Sequence, residues 1–305
     1  MKALFCSACS KSLHSILFEA FEKKKKYTFY RCDNCDLIQI RPLQKSETEG
    51  FYSYADPNIL ARVKNQQIEF LHRVPFGRIL FQRYIDSCYN NRFRTILKLR
   101  SQGQILDIGC GEGSFLKKFN NKWNKTGIEI NKHLAKQARN KLKNTTILTH
   151  SLESAKLSKV SFDIITMWHV FEHLHNPKVI LRSIRKHLNP TGYFVIEVPN
   201  GNSIYRKFFK NNWQLLLLPQ HLFFWTGKSI THILEETGFQ TVRASYPGII
   251  SFSGSSSLAN FLRSKKVNTY IATLMAILFF PLVLIINILS LKDRDNILII
   301  AQQKN

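Results

Sequence analysis

The sequence is poor in acidic residues. It holds 20 aspartate and glutamate residues against 44 lysine and arginine residues, for a formal net charge of +24. The excess of basic residues is spread evenly along the chain, with 18 basic against 9 acidic residues in 1–100, 15 against 7 in 101–200, and 11 against 4 in 201–305. No basic tail stands out, which argues against a dedicated nucleic-acid-binding extension. A surface of this charge still attracts anionic lipids and polyanions in general.

An apolar leader is also missing. The first six residues, Met-Lys-Ala-Leu-Phe-Cys, run directly into cysteine and polar residues without the apolar core of a secretory signal. We therefore expect the folded body of the protein in the cytoplasm. A length of 305 residues with 44% hydrophobic content suffices for one large core and a small appendage, which excludes disorder as the default.

Cysteine is scarce, but four of the six cysteines form two close pairs. Cys6 and Cys9 make one CxxC turn, and Cys32 and Cys35 make another. Two such turns can close a tetrahedral zinc site, which would be structural because protein fills all four positions. Disulfides are the alternative, which a cytoplasmic setting disfavours. The spacing predicts a zinc ribbon over residues 1–45.

A glycine-rich run at 105–113, Ile-Leu-Asp-Ile-Gly-Cys-Gly-Glu-Gly, is typical of a buried strand that ends in a tight turn. A helical pattern follows from Ser114, and a second strand at 126–128 ends in Glu129. A carboxylate at that place is the group with which nucleotide-binding folds hold ribose hydroxyls. The order of strand, loop, helix, strand and carboxylate predicts a cofactor site.

The loop reads Asp-x-Gly-x-Gly-x-Gly, which differs from the GxGxxG of nicotinamide-binding folds. It resembles motif I of the class I S-adenosylmethionine (SAM) methyltransferases. The resemblance implies that the loop wraps the amino acid end of SAM, that Asp107 helps hold its ammonium group, and that residues after the third strand contact the adenine. The implied cofactor-binding residues are Asp107, Gly109, Gly111, Gly113, Glu129, Ser151, Leu152 and Trp168.

Strand and helix patterns alternate from residue 104, which predicts an α/β fold with a Rossmann-like, seven-stranded sheet. The strand candidates are 104–108, 125–129, 146–148, 162–167, 192–198, 239–245 and 296–302. Helical spacing at 58–100 predicts a connector that covers one side of the cofactor cleft. The predicted domains are the ribbon (1–45), a helical connector or cap (46–100), and a methyltransferase domain (101–305) with a hydrophobic hairpin insertion at 255–293.

Methyl transfer needs the acceptor aligned with the methyl group and, for a hydroxyl acceptor, a base. His169 ends the fourth strand, and Glu172 and His173 follow it; each has an alternative as pocket wall or helix cap. His221 is the preferred base, because it lies in a segment at 201–225 whose aromatic and apolar residues predict a lid over an apolar acceptor. Ordinary packing of an insertion is the alternative for that lid.

Two further absences narrow the acceptor. The fourth strand is not followed by Asn-Pro-Pro-Tyr, which argues against methylation of the adenine amino group in DNA. No Pro-Cys pair supplies the covalent nucleophile of cytosine C5 enzymes. An oxygen acceptor is the leading prediction.

Residues 267–291 form a run of 25 without a charge, long enough to cross a bilayer. The predicted last strand at 296–302 must rejoin the sheet, and both flanks of the run are basic, so both ends belong on the same side of a membrane. Pro281 interrupts the run and predicts two short helices that enter one leaflet from the cytoplasmic face. A buried core helix, a dimer interface and a tail anchor are the alternatives.

These patterns predict a peripheral or monotopic SAM methyltransferase with a structural zinc ion, acting at the inner face of the membrane. Its acceptor would be a hydroxyl on a lipid-linked glycan or another amphipathic molecule. A tRNA or rRNA methyltransferase and a non-catalytic zinc-ribbon scaffold remain alternatives. The sequence leaves the acceptor, the methylated atom and the oligomeric state open.

Overall fold

A computed structural model describes residues 4–22, 24–43, 77–152, 157, 161–248 and 251–304 of the chain. The predicted connector is therefore described from Gly77 onward, and its part at 46–76 lies outside the described residues. The strands are β1 (Ser15–Glu22), β2 (Lys25–Arg31), β3 (Ile38–Arg41), β4 (Gly103–Ile108), β5 (Trp123–Ile128), β6 (Thr145–Leu148), β7 (Phe162–Trp168), β8 (Leu188–Pro199), β9 (Phe223–Phe224), β10 (Phe239–Ser245) and β11 (Asn296–Gln303). The α-helices are α1 (Gly77–Leu97), α2 (Lys132–Lys141), α3 (Pro177–His187), α4 (Ile204–Phe209), α5 (Gly227–Glu236), α6 (Ser253–Ser264), α7 (Thr269–Leu278) and α8 (Phe280–Leu289).

The larger sheet has seven strands in the order β10-β11-β8-β7-β4-β5-β6. The pairs along β8-β7-β4-β5-β6 are parallel, and β11 is antiparallel to both of its neighbours. All seven predicted strands are confirmed, as is the Rossmann-like fold class. The chain continues from β4 to β5 on one side and returns to β7 on the other, so a cleft opens beyond the carboxyl ends of β4 and β7.

Local sequence explains where the helices start. Asn131 precedes α2 and accepts hydrogen bonds from the backbone N–H groups of His133 and Leu134. Thr226 and Ser229 form a reciprocal capping box at the start of α5. Pro177 opens α3, where its missing N–H costs nothing. These caps fix the positions at which the helices begin beside the sheet edge.

The smaller sheet is the N-terminal ribbon, with the order β1-β2-β3-β9. Its fourth strand comes from the predicted lid segment at 201–225: Phe223 and Phe224 pair with Gln39 and Ile38 of β3. The backbone N–H of Ile40 also donates to the carbonyl oxygen of Leu222 at 3.1 Å. The ribbon is thus joined to the segment that carries His221, a connection that a two-residue strand gives no pattern to predict.

The predicted insertion lies between β10 and β11 of the large sheet and contains the helices α6, α7 and α8. The axes of α7 and α8 meet at 48°, with the break at Phe279 and Pro281 in the first turn of α8. Among the described residues no single helix meets the length and hydropathy needed to cross a bilayer, whereas this bent pair meets them jointly. The two short apolar helices that Pro281 predicted are present.

Candidate active site

The glycine-rich turn follows β4, and its three glycines have different roles. Gly109, Gly111 and Gly113 all have positive φ, at 75°, 57° and 83°, which disfavours any residue with a Cβ. A Cβ at Gly109 would lie 2.4 Å from Val170, and one at Gly113 would lie 2.5 Å from Leu142, so these two glycines allow close packing. A Cβ at Gly111 would meet nothing within 4 Å. The backbone at Gly111 therefore borders open space, as a cofactor cradle requires.

The two predicted acidic residues flank this turn. Glu129 accepts a hydrogen bond from the backbone N–H of Gly111 at 2.9 Å with one oxygen and from that of Asn131 at 2.8 Å with the other. Asp107 is buried and accepts a hydrogen bond from the Thr166 hydroxyl at 2.7 Å. Burial raises the pKa of Asp107 to about 7, although the hydrogen bond from Thr166 opposes the rise. Both carboxyl groups lie beside the turn, and the roles that the resemblance implies for them stay predictions.

The other implied cofactor residues lie at the same edge of the large sheet. Ser151 and Leu152 follow β6, the former half-buried and the latter buried. Trp168 ends β7, and its ring packs edge-on against Phe115, just after the glycine turn, with ring centres 5.2 Å apart. The guanidinium carbon of Arg92 lies 4.9 Å from the centre of the Trp168 ring. The structure therefore brings α1 to this side of the cleft.

His169 lies between two buried carboxylates. Its Nε2 is 3.1 Å from Glu197 Oε1, and its Nδ1 is 3.4 Å from Glu172 Oε1. Glu197 also accepts a 2.7 Å hydrogen bond from Arg92. Burial alone would lower the pKa of His169, but its contacts with Glu172 and Glu197 raise it to about 9. This imidazole is therefore protonated at neutral pH and suits a fixed positive charge better than a base.

His221 and His173 lie on the other side of Glu172. The Nε2 of His221 is 3.9 Å from Glu172 Oε1, and the two imidazole ring centres are 4.8 Å apart. Burial, and then the neighbouring His173, lower the pKa of His221 to about 3. His221 is therefore neutral, which a proton acceptor must be. All four predicted catalytic residues are brought together, on a 3₁₀ turn (Phe171–His173), the residue that precedes it by two, and the lid segment.

Residues 80–244, more than half of the chain, match the family described as "Methyltransferase domain". The chain belongs to the methyltransferase-domain family. Together with the seven-stranded sheet and the glycine cradle, this match confirms the predicted SAM-dependent methyltransferase.

The relatives do not extend this assignment to an acceptor. The uncharacterized protein MJ1123 of Methanocaldococcus jannaschii is 25% identical over 156 residues, which cover 51% of this chain and 74% of the relative. The uncharacterized protein MJ1252 of the same organism is 31% identical over 123 residues, which cover 38% of this chain and about half, 47%, of the relative.

Similar solved structures do not identify the acceptor either. A putative sarcosine dimethylglycine methyltransferase from Galdieria sulphuraria is 15% identical, with a TM-score of 0.49 and coverage of 72% of this chain and 86% of that one. A complex of the Haloferax volcanii Trm112 methyltransferase activator with a putative methyltransferase is 14% identical, with a TM-score of 0.49 and coverage of 85% and 98%. At these scores neither likeness says anything about the acceptor.

Sequence reasoning missed two residues of this methyltransferase site. Glu197 is the one acidic residue in the apolar strand β8, and that interruption was a usable signal. Arg92 lies on α1 among polar residues, and nothing in its surroundings marks it. Glu197 is buried, Arg92 is half-buried, and the two are paired with each other, so they hold His169 from the side opposite Glu172.

The four paired cysteines of the methyltransferase meet in the ribbon. Their Sγ atoms all lie within 4.8 Å of one another, with 3.5 Å between Cys6 and Cys35 and 3.4 Å between Cys9 and Cys32. All four are buried. Sulfur atoms around one tetrahedral zinc ion are about 3.8 Å apart, given a Zn–S distance of about 2.3 Å. The donor set and its geometry therefore fit such an ion.

Proposed function

We propose that this SAM-dependent methyltransferase methylates a hydroxyl group on a lipid-linked or other amphipathic acceptor at a membrane surface. The observation that carries the proposal is an exposed apolar surface on α7 and α8. We call it the apolar face; it consists of Ile271, Leu274, Met275, Leu278, Leu282, Ile285, Ile288 and Leu289. These side chains are 45 to 74% exposed, although soluble surfaces rarely expose so many large apolar residues together.

The charges around the apolar face favour an anionic membrane. Arg263, Lys265 and Lys266 precede α7, and Lys292 follows α8. Asp293, which follows Lys292 in the chain, is half-exposed, and its charge is offset by a salt bridge with Lys207 at 3.2 Å. A basic rim around an apolar centre is the pattern with which peripheral proteins bind anionic headgroups.

The apolar face is attached to the lid segment. Tyr205 of α4 donates its hydroxyl hydrogen toward the carbonyl oxygen of Val283 at 3.2 Å and Asn287 Oδ1 at 3.0 Å, both on α8. Docking of α7 and α8 would therefore bring the lid, and the acceptor beneath it, to the same surface. This attachment supports an acceptor that is itself held in a membrane.

In the proposed methyl transfer, different residues would provide charge, proton acceptance and alignment. SAM supplies the methyl group from its sulfonium when it is bound at the glycine turn. His169, held positive between Glu172 and Glu197, contributes a fixed charge at the end of β7. The neutral imidazole of His221 would accept the acceptor's hydroxyl proton, but burial lowers its pKa to about 3, so it is a weak base until the acceptor is bound beside it. Positioning by the lid supplies the remaining alignment.

We further propose that the cysteine cluster (Cys6, Cys9, Cys32 and Cys35) holds a structural zinc ion. Four thiols leave no open position for a substrate, so the ion would stabilise the ribbon and not act on the acceptor. Through the β3–β9 pairing it would also stabilise the segment that carries His221.

The membrane proposal is tested by flotation with vesicles, one set of neutral phosphatidylcholine and one with added phosphatidylglycerol. We expect binding to the anionic set and its loss when Leu274, Leu278 and Ile285 are changed together to Gln. The matched control changes Ile16 and Val242 to Gln, since these are equally exposed apolar residues away from the apolar face. Equal flotation of both variants, or salt-sensitive binding to RNA in place of vesicles, would contradict the proposal.

The acceptor is sought with radiolabelled SAM and a total lipid and glycan extract from the source organism. We expect label in an extractable amphipathic product, and His221→Gln should reduce it by about 100-fold, the usual size of a general-base contribution. Label confined to water-soluble RNA would overturn the assignment of the acceptor.

A further inference from the structure

Glu172 is a buried carboxylate without a hydrogen-bond donor. Its side chain is fully buried, and within the described part of the chain neither oxygen accepts a hydrogen bond. Burial of a carboxylate costs several kcal/mol unless hydrogen bonds, a close cation or a metal ion offset the loss of water. Nearby cations or a metal ion must therefore provide what hydrogen bonds do not provide to Glu172.

His169 accounts for part of this, but not for all of it. Its Nδ1 lies 3.4 Å from Glu172 Oε1, a contact without hydrogen-bond geometry. The same ring has its closer carboxylate contact with Glu197, at 3.1 Å. His169 is therefore shared between two carboxylates and sits nearer to Glu197.

Two further imidazoles converge on Glu172. His221 Nε2 is 3.9 Å from Glu172 Oε1, and one ligand atom from each of Glu172, His173 and His221 lies within 4.8 Å of the others. Donor atoms at about 2.1 Å from a single ion are separated by roughly 3 to 4.2 Å. The observed spacing needs only a small closure to surround one ion.

The orientation of His173 agrees with this geometry. Its Nδ1 lies 2.9 Å from the carbonyl oxygen of Gln220, which can only accept, so Nδ1 carries the hydrogen. In the neutral ring Nε2 then presents its lone pair. Metal-binding histidines are usually oriented in this way, by a hydrogen bond from the other ring nitrogen to a carbonyl or carboxylate.

Backbone hydrogen bonds hold the three residues in register. The N–H of Leu222, next to His221, donates to the carbonyl oxygen of Glu172 at 2.9 Å. The carbonyl oxygen of Leu222 in turn accepts from Ile40 of the ribbon at 3.1 Å. The two segments that supply the side chains are thus fixed to each other, as a prearranged site requires.

We propose that Glu172, His173 and His221 together bind one divalent transition-metal ion at the carboxyl end of β7. Two imidazoles and one carboxylate favour zinc, iron(II) or cobalt(II) over magnesium or calcium, which prefer oxygen ligands. Three protein ligands leave coordination positions open. The acceptor chemistry at this site rests on the proposed function, with one change: when the ion is bound, it would activate the hydroxyl in place of a free His221 imidazole. An open position would bind the acceptor's hydroxyl oxygen and orient it toward the cofactor.

The test is a titration with cobalt(II) of full-length protein already loaded with one equivalent of zinc per chain, which fills the cysteine cluster. We expect a second equivalent to bind and to give a visible spectrum without the thiolate charge-transfer band of a cysteine site. Glu172→Gln and His221→Gln should each bind at least 10-fold more weakly. The matched control is Glu236→Gln, because Glu236 also faces a histidine, His232, at 3.1 Å but belongs to no three-residue cluster.

Folding is followed by circular dichroism in each variant. If Glu172→Gln fails to fold, His173→Gln carries the same comparison, since His173 is half-buried and leaves the buried carboxylate in place. Failure of the folded wild-type protein to bind a second equivalent, or unchanged binding in the folded variants, would overturn the site. Binding with no labelled product would leave the metal site standing and would reject only the proposed acceptor chemistry.

Discussion

The cysteine cluster and the Glu172 cluster (Glu172, His173 and His221) both bring together side chains of the types that can bind a metal ion, but the chain assembles them differently. The cysteine cluster comes from two CxxC turns of one small module, and its four Sγ atoms all lie within 4.8 Å of one another. The Glu172 cluster joins the turn after β7 to a segment far along the chain, and its carboxylate accepts no hydrogen bond from the residues that the structure describes. The first cluster is closed to substrates, whereas the second lies where this fold binds them.

The largest effect should come from breaking the cysteine cluster with Cys32→Ser. Structural zinc contributes on the order of 10 kcal/mol to the folding of small modules, so we expect loss of zinc and unfolding of the ribbon. Zinc content and limited proteolysis measure this. Cys88→Ser is the control, since Cys88 lies on α1 outside the cluster. A Cys32→Ser protein with an intact, protease-resistant ribbon would show that the module does not depend on metal.

The connection between the two clusters is tested with Phe224→Ala. Phe224 is buried, pairs with Ile38 of the ribbon, and packs against Phe29 and His221 with ring centres 5.6 and 5.9 Å apart. A cavity of this size costs about 3 to 5 kcal/mol, and we expect weaker cobalt binding at the Glu172 cluster as well.

Urea unfolding and the cobalt titration measure the two effects separately. Phe208→Ala is the matched control, because Phe208 is 77% exposed on α4. Destabilisation without any change in cobalt affinity would mean that the ribbon does not position His221.

The two clusters also differ in how far the sequence predicts them. Cys6, Cys9, Cys32 and Cys35 are recognisable because a fixed short spacing within one module determines that they meet. The seven strands were predictable for a similar reason, since each is a local apolar run with glycine or polar residues at its ends. His169, Glu172 and His173 could be named as candidates because they follow the fourth predicted strand, and His221 could be named because it lies in the predicted lid segment.

Their mutual distances, and the participation of Arg92 and Glu197, depend on tertiary structure. Arg92 reaches Glu197 only because α1 packs across the end of β8, which no local pattern encodes. The pairing of β3 with β9 is likewise set by how the ribbon packs on the lid segment. Residues 46–76 of the predicted connector lie outside the described residues, and their helical assignment stays a prediction.

Asp107 and Glu172 are both buried carboxyl groups, but Asp107 accepts a hydrogen bond from the Thr166 hydroxyl. Burial raises its pKa to about 7, above its unfolded value, so the folded state binds the proton more tightly. The resulting stability is present below the unfolded pKa near 4 and is lost as the pH rises through about 7.

Asp107→Asn removes this titration. Relative to the wild type, its free energy of unfolding should therefore rise between pH 4 and pH 8, by up to about 4 kcal/mol. Urea unfolding of SAM-free protein across this range measures the difference, with Asp293→Asn, at a half-exposed aspartate, as control. Parallel pH profiles for Asp107→Asn and the wild type would show that Asp107 is not held protonated by burial.

The smallest effect is expected at a buried hydroxyl group whose hydrogen-bond partners are protein atoms and not a metal ion. The Tyr205 hydroxyl is buried between Val283 and Asn287 of α8. Tyr205→Phe removes the donor and should lower the free energy of unfolding by about 1 to 2 kcal/mol. Since no metal ligand is involved, thermal unfolding should show the same loss with and without a chelator, whereas Glu172→Gln should differ from the wild type mainly when metal is present. Tyr270→Phe, on the exposed side of α7, is the control and should change stability by less than about 0.5 kcal/mol. A chelator-dependent loss in Tyr205→Phe would mean that the metal site extends its influence into the lid and the apolar face.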